Sequence, residues 1–197
     1  MTRTVDFYFD FGSPAAYLAC TQLPALCAET GATVSWKPML LGGVFQATGN
    51  HSPATLAVKG DYIFKDFARF ARRYRVPFNN NPHFPINTLM LMRAAVGLQM
   101  RDDPRFDDYV QAMFKAIWVD AKNMNDAATV GAVLQAADFD AMAMLALTQE
   151  PAVKDQLKAG TQAAVARGIF GAPTFFVGDQ MFWGQDRLDF VREALIN

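Results

Sequence analysis

The feature that most constrains the fold is a strand that runs directly into a helix start. Residues 4–11 read TVDFYFDF, where Val or Phe at every second position alternates with polar or aromatic residues such as Asp10. This period of two predicts a β-strand. Ser13 follows where a helix N-cap belongs, and Pro14 lies at the first helical position, where its missing N–H costs nothing. The chain therefore presents a hydroxyl at a strand-to-helix turn.

The next residues complete a strand-helix-strand unit. The sequence predicts a helix over residues 14–30, kinked at Pro24 and ended by Gly31. A strand over residues 33–37 follows and ends at Pro38. Since a helix connects the two strands, we expect a parallel pair with a right-handed crossover.

Helices fill the middle of the chain, and its end returns to strands. Apolar spacing and capping residues predict helices over residues 61–74, 87–100, 104–119, 140–148 and 151–167, and one more after Asn125-Asp126. Two short apolar runs, 174–177 and 180–183, flank a Gly-Asp turn and predict an antiparallel hairpin before a last helix over 187–196. We expect an α/β fold with one four-stranded sheet, in which residues 1–40 and 169–197 form one domain and residues 41–168 an inserted helical domain.

Charge and composition narrow the possible partners. The 197 residues include 18 Lys and Arg against 19 Asp and Glu, so the net charge of -1 gives no reason to expect nucleic acid or a membrane as partner. The start of the sequence lacks the apolar run of a secretory signal, which makes a cytoplasmic location the expectation. His51 and His83 have no companions at ligand spacing, so no metal site is expected. The expected partners are small molecules or a second copy of the chain.

The two cysteines are not predicted to form a disulfide. Cys20 and Cys27 are seven residues apart in the predicted helix 14–30, which separates them by about 10.5 Å along the axis. We interpret both as small apolar residues on one helix face.

Two short segments hold the candidate chemistry. Ser13 could be only an N-cap, so a functional role needs a second feature. The sequence Gly171-Ala172-Pro173-Thr174 supplies one, because a proline directly before a strand is a candidate for a cis peptide bond, a minority geometry that folds retain for a reason. The sequence leaves the isomer open.

The two ends of the chain together resemble a known family. The segments FDFGSPAAY and RGIFGAPTFFVGDQMFWGQDRL, with the helical insertion between them, resemble the DsbA-like thioredoxin superfamily. Within it they look like the 2-hydroxychromene-2-carboxylate isomerases and the related kappa-class glutathione transferases, over essentially the whole chain. The resemblance implies a thioredoxin-like fold with a large all-helical insertion, a homodimer and glutathione as cofactor. In this family a serine replaces the redox cysteine and activates the thiol of bound glutathione, so Ser13 is the expected catalytic residue.

The resemblance also implies which residues contact glutathione. The backbone of Ala172, next to Pro173, resembles the segment that pairs with the cysteinyl part as an added strand would. The segment that receives the γ-glutamyl end corresponds to Trp183, Gly184, Gln185 and Asp186. Asp186 suits an ammonium group but could instead be a plain helix cap, and the family more often has Ser or Asn at the position of Gln185.

The acceptor pocket is less well defined. Lys59 and Asn87 resemble family residues that border it, so Lys59 could bind a substrate carboxylate and Asn87 a carbonyl or hydroxyl. Alternatively, Lys59 is a solvated charge and Asn87 caps the helix after it. Trp118 could wall the same pocket, or it could belong to the core.

The implied reaction is an isomerisation. The family interconverts 2-hydroxychromene-2-carboxylate and trans-o-hydroxybenzylidenepyruvate, small aromatic hydroxy and keto acids of naphthalene-type catabolism, and regenerates its glutathione. A kappa-like glutathione transferase or peroxidase is the alternative, and it would consume glutathione. A non-enzymatic binding protein with a thioredoxin fold is the third interpretation.

Overall fold

The sheet has four strands in the order β2-β1-β3-β4. The computed structural model describes residues 3–196. Strand β1 (Thr4–Phe9) pairs in parallel with β2 (Thr33–Pro38), and antiparallel with β3 (Thr174–Val177), which forms a hairpin with β4 (Gln180–Trp183). The predicted parallel pair, the hairpin and the single four-stranded sheet are confirmed.

Ten helices are present among the described residues. They are α1 Pro14–Cys20, α2 Leu23–Thr30, α3 Leu41–Thr48, α4 Ala57–Tyr74, α5 Leu89–Gln99, α6 Phe106–Trp118, α7 Ala127–Ala136, α8 Ala141–Gln149, α9 Pro151–Ala166 and α10 Leu188–Ile196. Short 3-10 turns lie at Pro53–Thr55 and Gln185–Arg187. Helices α3 to α9 all lie in sequence between β2 and β3, as expected for a helical insertion, and the predicted domain boundaries stay a prediction.

Both faces of the sheet are buried. On one face the rings of Phe7 and Phe175 stack with centroids 5.2 Å apart, within the larger of two hydrophobic clusters. On the other face Tyr8 and Phe176 belong to a second cluster, which includes Val44 of α3. Full burial of one such side chain contributes about 1.5–3 kcal/mol. Residues Phe7 to Phe9 of β1 are therefore buried on both faces, whereas Thr4 at the start of the strand is exposed. This explains why Tyr8 occupies a position that is polar in a half-exposed strand.

The predicted single helix over residues 14–30 is wrong. Helix α1 ends at Cys20, and α2 begins at Leu23 with Pro24 in its first turn. A proline inside a continuous helix would remove a hydrogen bond and press its ring against the carbonyl of Cys20, four residues earlier. The break at residues 21–22 avoids both costs, because Pro24 then occupies a position where no N–H is needed.

Helix α3 was not among the predicted elements. Gly42 and Gly43 give its sequence a low helix propensity. Packing against the rest of the protein stabilises this helix instead. Val44 is fully buried, and a Cβ on Gly43 would lie only 3.2 Å from Thr161 of α9. The glycine thus allows α3 and α9 to approach closely.

No single helix among residues 3–196 is long and apolar enough to cross a membrane. Helices α7 and α8 reach that length and apolarity only as a pair, which is bent by 118°.

Candidate active site

Ser13 lies at the junction of β1 and α1 and makes two hydrogen bonds through one oxygen. Its Oγ accepts from the N–H of Ala16 at 3.1 Å, which confirms the predicted N-cap. The same hydroxyl donates to the carbonyl of Ala172 at 2.9 Å. Ser13 is only 4% exposed, so this pairing joins two segments that are 159 residues apart in sequence.

The Ala172–Pro173 peptide bond is cis. The carbonyl of Pro173 accepts from the N–H of Gly184 at 3.0 Å, and Thr174 Oγ1 donates to the carbonyl of Gly171 at 2.8 Å. The first bond connects the segment that faces Ser13 with the segment that follows β4, and the second lies within the segment that faces Ser13. The structure therefore brings Ser13, Ala172, Pro173 and Gly184 into one connected region. A second cis bond, Phe84–Pro85, was not anticipated.

Trp183 and Gly184 shape the surface beside this region. Trp183 is half-exposed and packs on Phe170, with ring centroids 5.0 Å apart. A Cβ on Gly171 would lie 2.6 Å from Trp183 Nε1, so glycine is needed for this approach. Gly184 has φ +105°, and a Cβ there would lie 2.5 Å from an Asp186 carboxylate oxygen. The two glycines let Trp183 and Asp186 come close to the backbone.

The last two residues of the 183–186 segment differ in exposure. Asp186 pairs with Arg187 at 2.5 Å, and both side chains are partly exposed to solvent. Gln185 is buried, and its backbone carbonyl accepts from Tyr74 Oη at 2.9 Å. A cavity of about 340 Å³ lies against these residues and is also lined by Arg73. Charged groups of both signs therefore surround Asp186.

Lys59 and Asn87 lie on separate elements. Lys59 is exposed in the first turn of α4. The Asn87 side-chain oxygen accepts from the N–H of Leu89 at 3.1 Å, and the Asn87 N–H donates to Asn125 Oδ1 at 2.8 Å. The N-cap residue of α5 is Thr88, so Asn87 lies one position before the cap, where its bond to the N–H two residues later is that of an Asx turn, and Asn87 is exposed.

Trp118 belongs to the core. It is fully buried, its Nε1–H donates to the carbonyl of Phe11 at 2.8 Å, and its ring stacks on Phe78. Of the two interpretations of Trp118, the structure favours the core residue.

Burial disfavours the thiolate form of both cysteines. Burial raises the pKa of the Cys20 thiol to about 12, with a smaller effect from the charge of Asp107, and burial also raises the pKa of Cys27. Both are free thiols and both line a cavity of about 800 Å³ beside β2, which none of the predicted site residues lines. Because the thiolate is the reactive form, these cysteines are unsuited to nucleophilic chemistry.

The site residue that the sequence interpretation missed is Asp10. The alternating pattern of residues 4–11 predicts Asp10 as a polar position of the first strand, but β1 ends at Phe9 and Asp10 is 2% exposed. Its carboxylate accepts hydrogen bonds from Gly12 N–H, Leu41 N–H and Thr88 Oγ1. An acidic residue two positions before a glycine, where an Asx turn can form, was the available signal.

Comparisons with known proteins identify the family of the chain. The DSBA-like thioredoxin domain family matches residues 4–196. A 2-hydroxychromene-2-carboxylate isomerase of Sphingobium xenophagum is 33% identical, over all of both chains. A solved structure of a 2-hydroxychromene-2-carboxylate isomerase superposes with a TM-score of 0.85 at 31% identity, over 98% of this chain and 94% of that one.

A kappa-class glutathione transferase of Caenorhabditis elegans is 26% identical, over 98% of this chain and 92% of its own. The chain therefore belongs to the DSBA-like thioredoxin family, as a relative of the 2-hydroxychromene-2-carboxylate isomerases and, more distantly, of the kappa-class glutathione transferases.

Proposed function

We propose that the protein is a glutathione-dependent isomerase that interconverts 2-hydroxychromene-2-carboxylate and trans-o-hydroxybenzylidenepyruvate. The observation that carries the proposal is the Ser13 hydroxyl, paired with the Ala172 carbonyl at 2.9 Å beside a cis-proline. Full-length relatives that bear the isomerase name support the reaction. When bound, glutathione would supply a thiolate nucleophile that adds reversibly to a conjugated double bond and so permits rotation about it.

The donor and acceptor of the Ser13–Ala172 hydrogen bond are complementary to the sulfur and the amide N–H of the cysteinyl residue of glutathione. In this structure the Ser13 O–H donates its hydrogen bond to the Ala172 carbonyl, so each group is the other's partner. A ligand with an amide N–H next to an anionic sulfur can replace both partners at once: its N–H would bond the Ala172 carbonyl, and Ser13 would donate to sulfur. The cysteinyl residue of glutathione has this arrangement, so its binding would leave neither buried group unpaired.

Ser13 would act on the thiol by favouring its ionised form. A hydroxyl that donates a hydrogen bond to sulfur stabilises the thiolate over the thiol. Helix α1 has only seven residues, so its dipole adds less than the predicted longer helix would. The Ser13 hydroxyl is therefore the main source of stabilisation in this proposal.

Residues 183–186 would hold the γ-glutamyl end. That end is a zwitterion, with an ammonium and a carboxylate group. The ion pair of Asp186 and Arg187, both partly exposed, presents the complementary charges. Gln185 is buried, so it would contribute through its backbone. Lys59 and Asn87 are proposed to border the aromatic acid, and a second copy of the chain is proposed to complete a homodimer.

The test is an absorbance time course of the isomerisation with and without catalytic glutathione. We expect conversion that requires glutathione and leaves its concentration unchanged. Ser13→Ala should lower kcat by about 100- to 1000-fold, as the loss of one donor to a developing anion does. Conversion at full rate without glutathione, or with Ser13→Ala, would contradict the proposal.

The same assay separates the isomerase from the alternative. A kappa-like transferase or peroxidase would use the same Ser13 site but would consume one or more glutathione molecules per turnover. Loss of free thiol in step with turnover would therefore favour the transferase or peroxidase.

A further inference from the structure

Three segments of the chain meet at one buried carboxylate. Asp10 Oδ1 accepts from Gly12 N–H at 2.8 Å and from Thr88 Oγ1 at 2.6 Å, and Asp10 Oδ2 accepts from Leu41 N–H at 2.8 Å. The donors belong to the turn that precedes Ser13, to the residues before α5 and to the start of α3. Asp10 therefore joins the β1–α1 turn to two separate parts of the helical insertion.

The same residue is bonded to Ser13 itself. The Ser13 N–H donates to the backbone carbonyl of Asp10 at 3.0 Å, so Asp10 holds the turn through both its side chain and its backbone. Gly12 also lies beside both groups, since a Cβ there would be in van der Waals contact with Asp10 Oδ1 and the methyl group of Thr88, at 3.4 Å from each. The placement of the Ser13 hydroxyl depends on this turn.

Thr88 links Asp10 to Asn87, the residue proposed to border the aromatic acid. It follows Asn87, whose N–H is bonded to Asn125 Oδ1, and Asn125 Nδ2 also contacts the carbonyls of His83 and Pro85. A continuous chain of hydrogen bonds and peptide units thus leads from the residues around Asn87, through Thr88 and Asp10, to Ser13.

We propose that Asp10 is a positioning residue that fixes the Ser13 hydroxyl relative to the Asn87–Thr88 segment. Its relevance to catalysis rests on the proposed function, in which Ser13 stabilises the thiolate and Asn87 borders the aromatic acid. A buried carboxylate is costly without its donors, so removal of one donor forces the turn to rearrange.

The test uses Thr88→Val, which keeps the shape of the side chain and removes the donor to Asp10. Thr88→Ser keeps the hydroxyl and should restore the wild-type behaviour. Thr148→Val is the matched control, because Thr148 is equally buried but its hydroxyl bonds the carbonyl of Leu145 within α8. All three variants are measured as the full-length protein.

The first readout is amide hydrogen exchange, which needs no activity. Thr88→Val should speed exchange of the Gly12, Ser13 and Leu41 amides by about tenfold or more, because all three amides bond to Asp10, which loses one of its three side-chain hydrogen bonds. Thr88→Ser and Thr148→Val should leave these three amides at the wild-type rate. Wild-type exchange in Thr88→Val would overturn the proposal.

The second readout is kinetic. Thr88→Val should lower kcat for isomerisation by about 10- to 100-fold, the scale of an ångström-sized misplacement, with Thr88→Ser active and Thr148→Val unaffected. If wild-type protein shows no glutathione-dependent isomerisation, the proposed function fails, while the exchange data still decide the role of Asp10. Faster exchange together with wild-type kcat in Thr88→Val would overturn the link to catalysis.

Discussion

Replacement of Tyr74 by Phe should weaken glutathione binding, whereas loss of the same hydroxyl from a buried tyrosine away from the 183–186 segment should not. The hydroxyl of Tyr74 donates to the Gln185 carbonyl at 2.9 Å and so ties α4 to the 183–186 segment. Burial raises the pKa of Tyr74 to about 12, so the phenol is a hydrogen-bond donor throughout the neutral range. Because Tyr74 is half-buried and lines a cavity, water can replace the lost hydroxyl. We expect a cost of about 0.5–1.5 kcal/mol in the free energy of unfolding.

Tyr109→Phe is the matched control, since it removes the same group from a bond of the same length. The hydroxyl of Tyr109 donates to the Leu91 carbonyl at 2.9 Å, but Tyr109 is fully buried and far in sequence from residues 183–186. The Leu91 carbonyl then keeps only its bond within α5, and since no water can replace the lost hydroxyl we expect a cost of about 1–3 kcal/mol.

Urea unfolding gives the two stabilities, and titration calorimetry gives the glutathione Kd. We expect Tyr109→Phe to lose more stability but to bind glutathione like the wild type. Tyr74→Phe should lose less stability and bind about 3- to 10-fold more weakly. Equal loss of binding in both variants, or unchanged binding in Tyr74→Phe, would refute the reasoning.

Three further predictions concern a glycine, a thiol and a lysine. Gly184→Ala forces φ +105° on a residue with a Cβ and presses that Cβ toward Asp186, so urea unfolding should show a loss of about 1–3 kcal/mol; unchanged stability would contradict this. Burial raises the pKa of the Cys20 thiol from 9.0 to about 12. Between these two pH values the thiol of the folded protein stays protonated, whereas the thiol of the unfolded chain loses its proton. The associated stability is complete below pH 9 and should fall by up to about 1.4 kcal/mol per pH unit above it. Urea unfolding of Cys20→Ala should show a smaller loss of stability with pH than the wild type, and not a pH-independent stability, because burial also raises the pKa values of Cys27, Tyr17 and Tyr74. Lys59→Gln should raise the KM of the aromatic acid several-fold if Lys59 binds its carboxylate, whereas Lys65→Gln, an exposed lysine on the same helix, should not; equal KM values would exclude that contact.

Much of the fold could be predicted because local signals agreed with the final packing. The hairpin of β3 and β4 has the predicted bounds, since the two apolar runs and the Gly178-Asp179 turn all favour it. Ser13 was predicted as an N-cap because Pro14 follows it, and the structure has that cap. In these places short-range chemistry alone determines the conformation.

The predictions that failed depended on contacts between distant residues. Helix α3 has two glycines and owes its conformation to packing on α9. The burial of Asp10 depends on donors from Leu41 and Thr88, which are 31 and 78 residues away in sequence. Likewise, no local pattern indicates that Tyr74 bonds the backbone at Gln185. Such contacts become visible only when the insertion is packed against the sheet.

The most direct test of the central claim is the pKa of the glutathione thiol in its complex with the protein, measured from thiolate absorbance as a function of pH. A free cysteine thiol has a pKa of about 8.5. If the Ser13 hydroxyl stabilises the thiolate, the pKa in the wild-type complex should lie well below that value and should return toward it in Ser13→Ala. An equal pKa in the two complexes would contradict the role of Ser13.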